Sequence, residues 1–193
     1  MDTARRMRSL LAEADRVDLA VYRAVAGTST RRLDVAMRRL SQAANYSRLW
    51  MASSVVLAAS GRRGRVAAGS GLAAVAVTSA FANLVIKPLG SRRRPDRGAE
   101  QVPEARHVGM PGSRSFPSGH AASAAAFSSA VGRVLPVAGV PLHCLAALVA
   151  YSRVHTGVHY PGDVVAGALA GTVIADLTGD PVSSYLARRS RRA

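Results

Sequence analysis

Three short patterns in this sequence carry residue types that bind and cleave phosphate. The first is built on the one lysine of a chain that uses arginine for every other cationic side chain. Lys87 is followed seven positions later by Arg94-Pro95, giving Lys-x6-Arg-Pro. A guanidinium grips phosphate oxygens through paired hydrogen bonds and an ammonium acts as a compact point charge. Taken alone, the pair would equally suit a basic loop flanking a membrane span. The second pattern is Pro117-Ser118-Gly119-His120. Ser118 is placed to cap a helix and Gly119 to let backbone approach closely, so free amide donors and a positive helix end would face an anion. His120 adds a group that titrates near neutral pH, suited to general acid work. By itself this too could be a plain helix start.

The third pattern is Ser152-Arg153-x5-His159-x3-Asp163. Pro161 favours the first turn of a helix, which sets His159 just outside the N-terminus and Asp163 in the opening turn. Asp163 can then accept a hydrogen bond from one ring nitrogen of His159 and leave the other as a nucleophile. His155, His159 and Asp163 also follow one another at intervals of four, a spacing that would suit a metal site. Gly157 and Pro161 oppose the continuous helix that such a site requires.

Together, in this order and each at a boundary between helix and loop, the three patterns resemble the phosphatidic acid phosphatase type 2 superfamily, which is related to the vanadium haloperoxidases. The resemblance runs over residues 87 to 163 by motif. It implies that Lys87, Arg94, Ser118, Gly119 and Arg153 hold phosphate, and that His159 forms a phosphohistidine. It further implies that Asp163 orients that histidine, that His120 protonates the leaving oxygen, and that no metal or other cofactor is used. A lipid-linked phosphate is the expected substrate. The small size, the arginine usage and an amphipathic entry through Asp18, Tyr22, Leu33, Asp34, Met37, Leu40 and Trp50 resemble the branch acting on polyprenyl-phosphate-linked sugars in cell-wall precursor synthesis. A polyprenyl diphosphate or phosphatidylglycerophosphate is the alternative substrate. A lipid-binding membrane scaffold without catalysis is the alternative of another class.

The elements that must position these residues are legible in the charge pattern. An apolar fraction of 49%, a mean hydropathy of +0.12 and a net charge of +15 can coexist only if the two characters are segregated. Arginine clusters at 5–8, 62–65, 92–97 and 188–192 alternate with apolar runs, as polar loops do around membrane spans. Residues 66–86 lack any formal charge and are long enough to cross a bilayer. Runs 119–135, 136–151 and 162–178 are shorter, and 46–60 is interrupted by Arg48. The expected fold is therefore all-α: a polytopic transmembrane helical bundle of about five spans, one domain over 1–193. Residues 1–44 would form amphipathic interfacial helices broken at 27–30, and 45–178 the bundle with catalytic loops 87–118 and 152–163. Residues 179–193 would form a basic tail. Gly167 and Gly171 supply a small-xxx-small spacing for close helix packing. Five prolines in 87–118 exclude a continuous helix there.

The basic charge does not point to nucleic acid, because the arginines lie between apolar runs and no aromatic platform accompanies them. Anionic membrane lipids are the expected partners, in the plasma membrane; nothing in the sequence sets an oligomeric state. Cys144, the single cysteine, has no intrachain partner and is expected to pack in the bundle. Arginines near the start are not followed by an apolar h-region, so no cleavable signal peptide is expected. His107 is expected in a solvated loop, His143 and Asn83 as helix-to-helix hydrogen-bonding groups, and His155 behind the nucleophile. Asp96, Glu100 and Glu104 are expected to neutralise arginines or receive sugar hydroxyls. The two charge cues for orientation oppose each other: the basic tail places the site outside the cell, and the N-terminal arginines place it inside.

Overall fold

The computed structural model describes residues 2–28, 30–86 and 91–189, and these are all-helical apart from loops. Two helices, α1 (Asp2–Ala26) and α2 (Arg31–Ala43), precede the bundle, separated where Gly27 to Thr30 breaks the pattern. A 3-10 turn, Asn45–Ser47, leads into α3 (Arg48–Ala59). Helix α4 (Arg62–Phe81) continues as a π-helical turn over Ala82–Ile86. After the long loop, which carries one 3-10 turn at Glu104–Arg106, come α5 (Gly119–Val134), α6 (Pro136–His155) and α7 (Pro161–Arg189).

Helix α5 is the axis of the bundle and packs on α4, α6 and α7. Its composition explains this: Ala121, Ala122, Ala124, Ala126, Ala130, Ser123 and Ser128 are all buried, so neighbouring backbones close in from three sides. Gly167 and Gly171 of α7 provide the closest approach. A Cβ at Gly167 would lie 2.4 Å from the Ser118 carbonyl oxygen, and one at Gly171 2.1 Å from that of Ala122. The small-xxx-small pair thus presses α7 against the start of α5, where the Pro-Ser-Gly-His pattern stands. On the opposite side, Trp50 packs on Phe127 with ring centroids 5.2 Å apart, in a cluster with Ala67, Val75, Val131 and Val149.

Among the described residues, three helices are long and apolar enough to cross a membrane: Arg62–Ile86, Pro136–His155 and Pro161–Gly179. They expose Leu72, Val77, Leu84, Leu148, Val165, Leu169 and Val173, an outward apolar surface suited to acyl chains rather than water. The chain is a multi-pass membrane protein. Helices stand at all five expected spans, but α3, with 12 residues, rises only ~18 Å and α5, with 16, only ~24 Å, short of a hydrocarbon core of ~30 Å. Cys144 departs from expectation. It is exposed on the outer face of α6, where an apolar environment is supplied by lipid instead of by a neighbouring helix.

The N-terminal helices do more than lie at an interface. Asp18, Tyr22 and Ala26 of α1 and Asp34, Met37 and Ser41 of α2 are buried, α2 packing on α6 and on the 3-10 turn of the long loop. A cluster of Tyr22, Ala26, Val102, Ala121, Val154 and Val164 ties α1 to the long loop and to α5, α6 and α7. Arg5, Arg6, Arg8 and Arg16, with Met7, Leu10, Leu11, Val17 and Val21, remain exposed on α1. These suit a headgroup region that is basic-seeking and apolar in turn.

Candidate active site

The site assembles at the turn between α6 and α7. Helix α6 ends at His155, Gly157 adopts a left-handed φ of +70°, and α7 begins at Pro161, so the helix break inferred from Gly157 and Pro161 is present. A Cβ at Gly157 would stand 2.8 Å from the Tyr22 hydroxyl and 3.1 Å from Arg97 Cγ, which makes glycine necessary both for conformation and for space. The break delivers His159 into a pocket where it is only 2% exposed.

Asp163, fully buried one turn into α7, backs the imidazole: its Oδ2 lies 3.5 Å from His159 Nδ1. The carboxylate is itself fixed by three donors, two of them from the long loop. Ser115 Oγ donates to Oδ2, the Tyr160 amide donates to the same oxygen at 2.9 Å, and Arg92 Nη1 donates to Oδ1 at 2.9 Å. The Ser118 amide adds a hydrogen bond to the Asp163 carbonyl at 2.9 Å. The other ring nitrogen of His159, Nε2, faces Arg94 Nη1 at 3.1 Å. Since a guanidinium can only donate, Nε2 is the lone-pair nitrogen and Nδ1 the one turned to the carboxylate. Burial, opposed by Asp163 but reinforced by the Arg94 and Arg153 charges, pushes the His159 pKa down to about 4, so the ring is a free base at neutral pH.

Arg94 faces Nε2, the Arg153 charge acts on the same ring, and Arg97 stands close to both arginines. Arg94 is held by the carbonyls of Ser113, Arg114 and Val158, and Arg97 by those of Val108 and Gly157. Arg153, 1% exposed, donates to Ser41 Oγ, while its Nε and Arg97 Nη2 are buried without a hydrogen-bond partner. None of the three forms an ion pair with a carboxylate among the described residues, and burial holds Arg94 and Arg97 below the ordinary arginine pKa. A cluster of desolvated, unpaired guanidiniums beside a neutral imidazole is a receptor for an anion with several oxygens.

Ser118 caps α5 as expected, its Oγ accepting from the Ala121 amide at 3.5 Å, with Gly119 next to it at the first turn. His120 follows on α5, and its Nε2 donates to Asn45 Oδ1 at 3.0 Å. Lys87 lies outside the described residues; the π-helical turn of α4 ends immediately before it. Of the expected site, then, His159, Asp163, Arg94 and Arg153 are gathered at one turn, and Ser118 joins them through Asp163. His155 turns away to Asp34 at 2.9 Å, so it does not converge with His159 and Asp163 as the metal reading requires.

Several participants were not singled out from the sequence for this role. Arg92 bridges Asp163, Asp18 and Asp15, and Asp18 also accepts from the Gly162 amide at 2.6 Å, capping the start of α7 from α1. Arg97, Ser41, Ser115 and Asn45 were likewise not singled out. Of the histidines outside the site, His107 bonds the Val102 carbonyl at 3.0 Å and His143 the Gly139 carbonyl at 2.8 Å, with Ser129 of α5 3.4 Å away. Glu100 pairs with Arg23, and Asp96 accepts from the Gly98 and Ala99 amides, so both are committed within the protein.

With this geometry established, comparison with known proteins is informative. The model of the PAP2 superfamily matches residues 67–178. Decaprenylphosphoryl-5-phosphoribose phosphatase of Mycolicibacterium smegmatis is 36% identical over 161 residues, covering 79% of this chain and 80% of that protein. The protein of the same name in Mycobacterium tuberculosis is 37% identical over 113 residues, covering 56% of this chain and only 58% of its own length. Lipid A 1-phosphatase of Rhizobium johnstonii is 34% identical over 106 residues, 54% of this chain and 43% of that protein. In fold, the chain is similar to the transmembrane PAP2 type phosphatidylglycerolphosphate phosphatase of Bacillus subtilis, with a TM-score of 0.66 at 24% identity over 90% of this chain and 86% of that one. It is similar also to Aquifex aeolicus LpxE, with a TM-score of 0.65 at 22% identity over 83% of this chain and 93% of that one.

Proposed function

Because the chain belongs to the PAP2 superfamily, we propose that it is a membrane phosphatase that hydrolyses a phosphomonoester on a lipid-linked substrate, with His159 as nucleophile. The observation that carries this reading is the His159 ring: a free base backed by Asp163 on one nitrogen and faced on the other by the Arg94 guanidinium, which with Arg153 lacks a carboxylate partner among the described residues. Residues 1–193 are read as one phosphatase domain.

In the proposed reaction, phosphate oxygens displace Arg94 from Nε2 and take up its donors together with those of Arg153, while Lys87 supplies further positive charge, Gly119 an amide donor and Ser118 its hydroxyl. Nε2 then attacks phosphorus, forming an N–P bond as the bond to the leaving oxygen breaks. His120 gives that oxygen a proton. Water next attacks phosphorus, His120 takes its proton, and the N–P bond breaks to release inorganic phosphate and restore neutral His159. The guanidiniums act on the charge that develops on the equatorial oxygens, the largest contribution expected in such chemistry. Asp163 keeps Nδ1–H oriented and stabilises the positive charge of the phosphorylated ring. No step requires a metal.

For the substrate, the relatives named above favour a polyprenyl-phosphate-linked sugar of the decaprenylphosphoryl-5-phosphoribose type. The experiment is phosphate release by purified wild type and His159→Ala in EDTA, with a panel of ribosylated polyprenyl phosphates, polyprenyl diphosphates and phosphatidylglycerophosphate. Wild type is expected to prefer the ribosylated lipid and the variant to be inactive. Turnover by His159→Ala removes the nucleophile assignment, and loss of wild-type activity in EDTA removes metal independence.

A further inference from the structure

Arg153 is enclosed by the protein and has no carboxylate partner among the described residues. Its long stem allows many rotamers, and a desolvated charge is drawn to any acceptor within reach. For this guanidinium to meet phosphate at one fixed place, something must select its orientation without cancelling its charge. Ser41 of α2 has the properties required. Its Oγ accepts from Arg153 Nη1 across 112 positions of sequence, and the residue is fully buried. This is the one hydrogen bond Arg153 makes among the described residues, and its Nε has no partner. A hydroxyl is a neutral acceptor, so it sets direction and leaves the positive charge for a ligand. A carboxylate in that place would hold the arginine as Asp34 holds Arg106.

Ser41 can orient Arg153 only if α2 is itself held in register, and Asp34 does the holding. It lies two turns earlier on the buried face that also carries Met37. Its Oδ1 accepts from Arg106 Nε at 2.8 Å, from Thr30 Oγ1 at 3.1 Å and from His155 Nε2 at 2.9 Å. His155 stands two residues after Arg153 at the end of α6, so both polar attachments of α2 fall on one short stretch of that helix. A slip of α2 by one residue would turn its side chains by ~100° and break the two together. None of the three phosphate-binding patterns includes a residue of α2.

We propose that Ser41 is a positioning residue for the reaction: it holds the Arg153 guanidinium in the orientation that receives a phosphate oxygen. The proposal rests on the phosphatase reading and deepens it, because it makes the order of the phosphate site depend on the docking of α2.

The test is a double-mutant cycle between Ser41→Ala and Arg153→Met in the full-length protein in detergent. It is read by phosphate release from the lipid panel and, independently of turnover, by the rise in Tm on titration with inorganic phosphate. Ser41→Ala removes one oxygen and opens almost no space. It is expected to lower kcat/KM about tenfold and to raise the half-saturating phosphate concentration about tenfold, the effect of one hydrogen bond to a charged group. In the Arg153→Met background it is expected to change neither. A bond that served stability alone would lower Tm and leave both readouts at wild-type values, and that result overturns the proposal. An equal loss in both backgrounds also overturns it, since Ser41 would then act through something other than Arg153. A wild type that binds inorganic phosphate in the Ser41-dependent manner yet cleaves none of the lipids keeps the positioning role and loses the phosphatase reading. A wild type that cleaves while Ser41→Ala matches it does the reverse.

Discussion

Arg106 and Arg153 are both fully enclosed, yet they are opposites. Arg106 is spent on structure: its Nε donates to Asp34 at 2.8 Å and its remaining donors go to the carbonyls of Val25, Ala26 and Thr28, stitching the long loop to the hinge between α1 and α2. Arg153 has one hydroxyl for a partner and an Nε with none. Arg92 and Arg94, two positions apart in the loop, repeat the contrast. Asp18 and Asp163 outweigh burial and hold Arg92 above the usual arginine pKa, whereas burial lowers Arg94. The lesson is that location does not separate scaffold from site in this molecule; the presence or absence of a carboxylate partner does.

That contrast can be broken most forcefully at Arg106. Arg106→Met leaves Asp34 buried opposite an apolar side chain, and the expected loss is about 3–5 kcal/mol of stability, seen as a large fall in Tm by fluorescence or calorimetry. Arg153→Met is the mirror case. It should lower kcat/KM for phosphate release about 10²–10³-fold while Tm stays level or rises, because an uncompensated buried charge has been removed. A fall in Tm matching that of Arg106→Met would erase the distinction between the two arginines.

The pH response sharpens the same point. With His159 titrating at about 4, kcat/KM should stay level down to about pH 5 and fall about tenfold per unit beneath pH 4. For stability the sign is also set. In the unfolded chain the ring takes a proton near 6.5, and in the folded site only near 4. The unfolded state therefore binds more protons across that window, and stability declines as pH drops from about 6.5 to about 4. Thermal scans across that range should show a smaller decline in His159→Ala than in wild type. The smallest effect is expected at Arg92, which acts on the reaction only through Asp163. Arg92→Gln should lower kcat about tenfold with KM nearly unchanged; a KM effect alone would make it a substrate ligand instead.

How much of this was legible beforehand depended on sequence distance. His159 and Asp163 are four apart, and with Pro161 between them the local rules of helix starts were enough to pair them. Ser118 was equally legible as a cap. Arg92 was not, because an arginine in the run Arg92-Arg93-Arg94 looks like any span-flanking charge, and its carboxylate partner Asp163 lies 71 residues away. Asn45 and His120 are separated by 75 positions, and nothing local marks the asparagine. For α1 and α2 the periodicity showed an amphipathic surface but could not say which buried polar residues, Asp18 and Asp34, would turn toward the loops. The spans were legible as apolar runs, whereas the depth of α3 and α5 was not, since hydropathy does not distinguish a surface formed by lipid from one formed by other helices.

The contact between Asp18 and the Gly162 amide joins positions 144 residues apart. In synthesis α1 leaves the ribosome before α7, but its place beside α7 does not exist until α7 has been made. Helix α1 must therefore wait, and its exposed arginines and apolar side chains give it somewhere to wait, lying on the bilayer surface while the bundle assembles beside it. On that account the candidate site is completed only after α7 has been inserted, when α1 docks beside it from the bilayer surface.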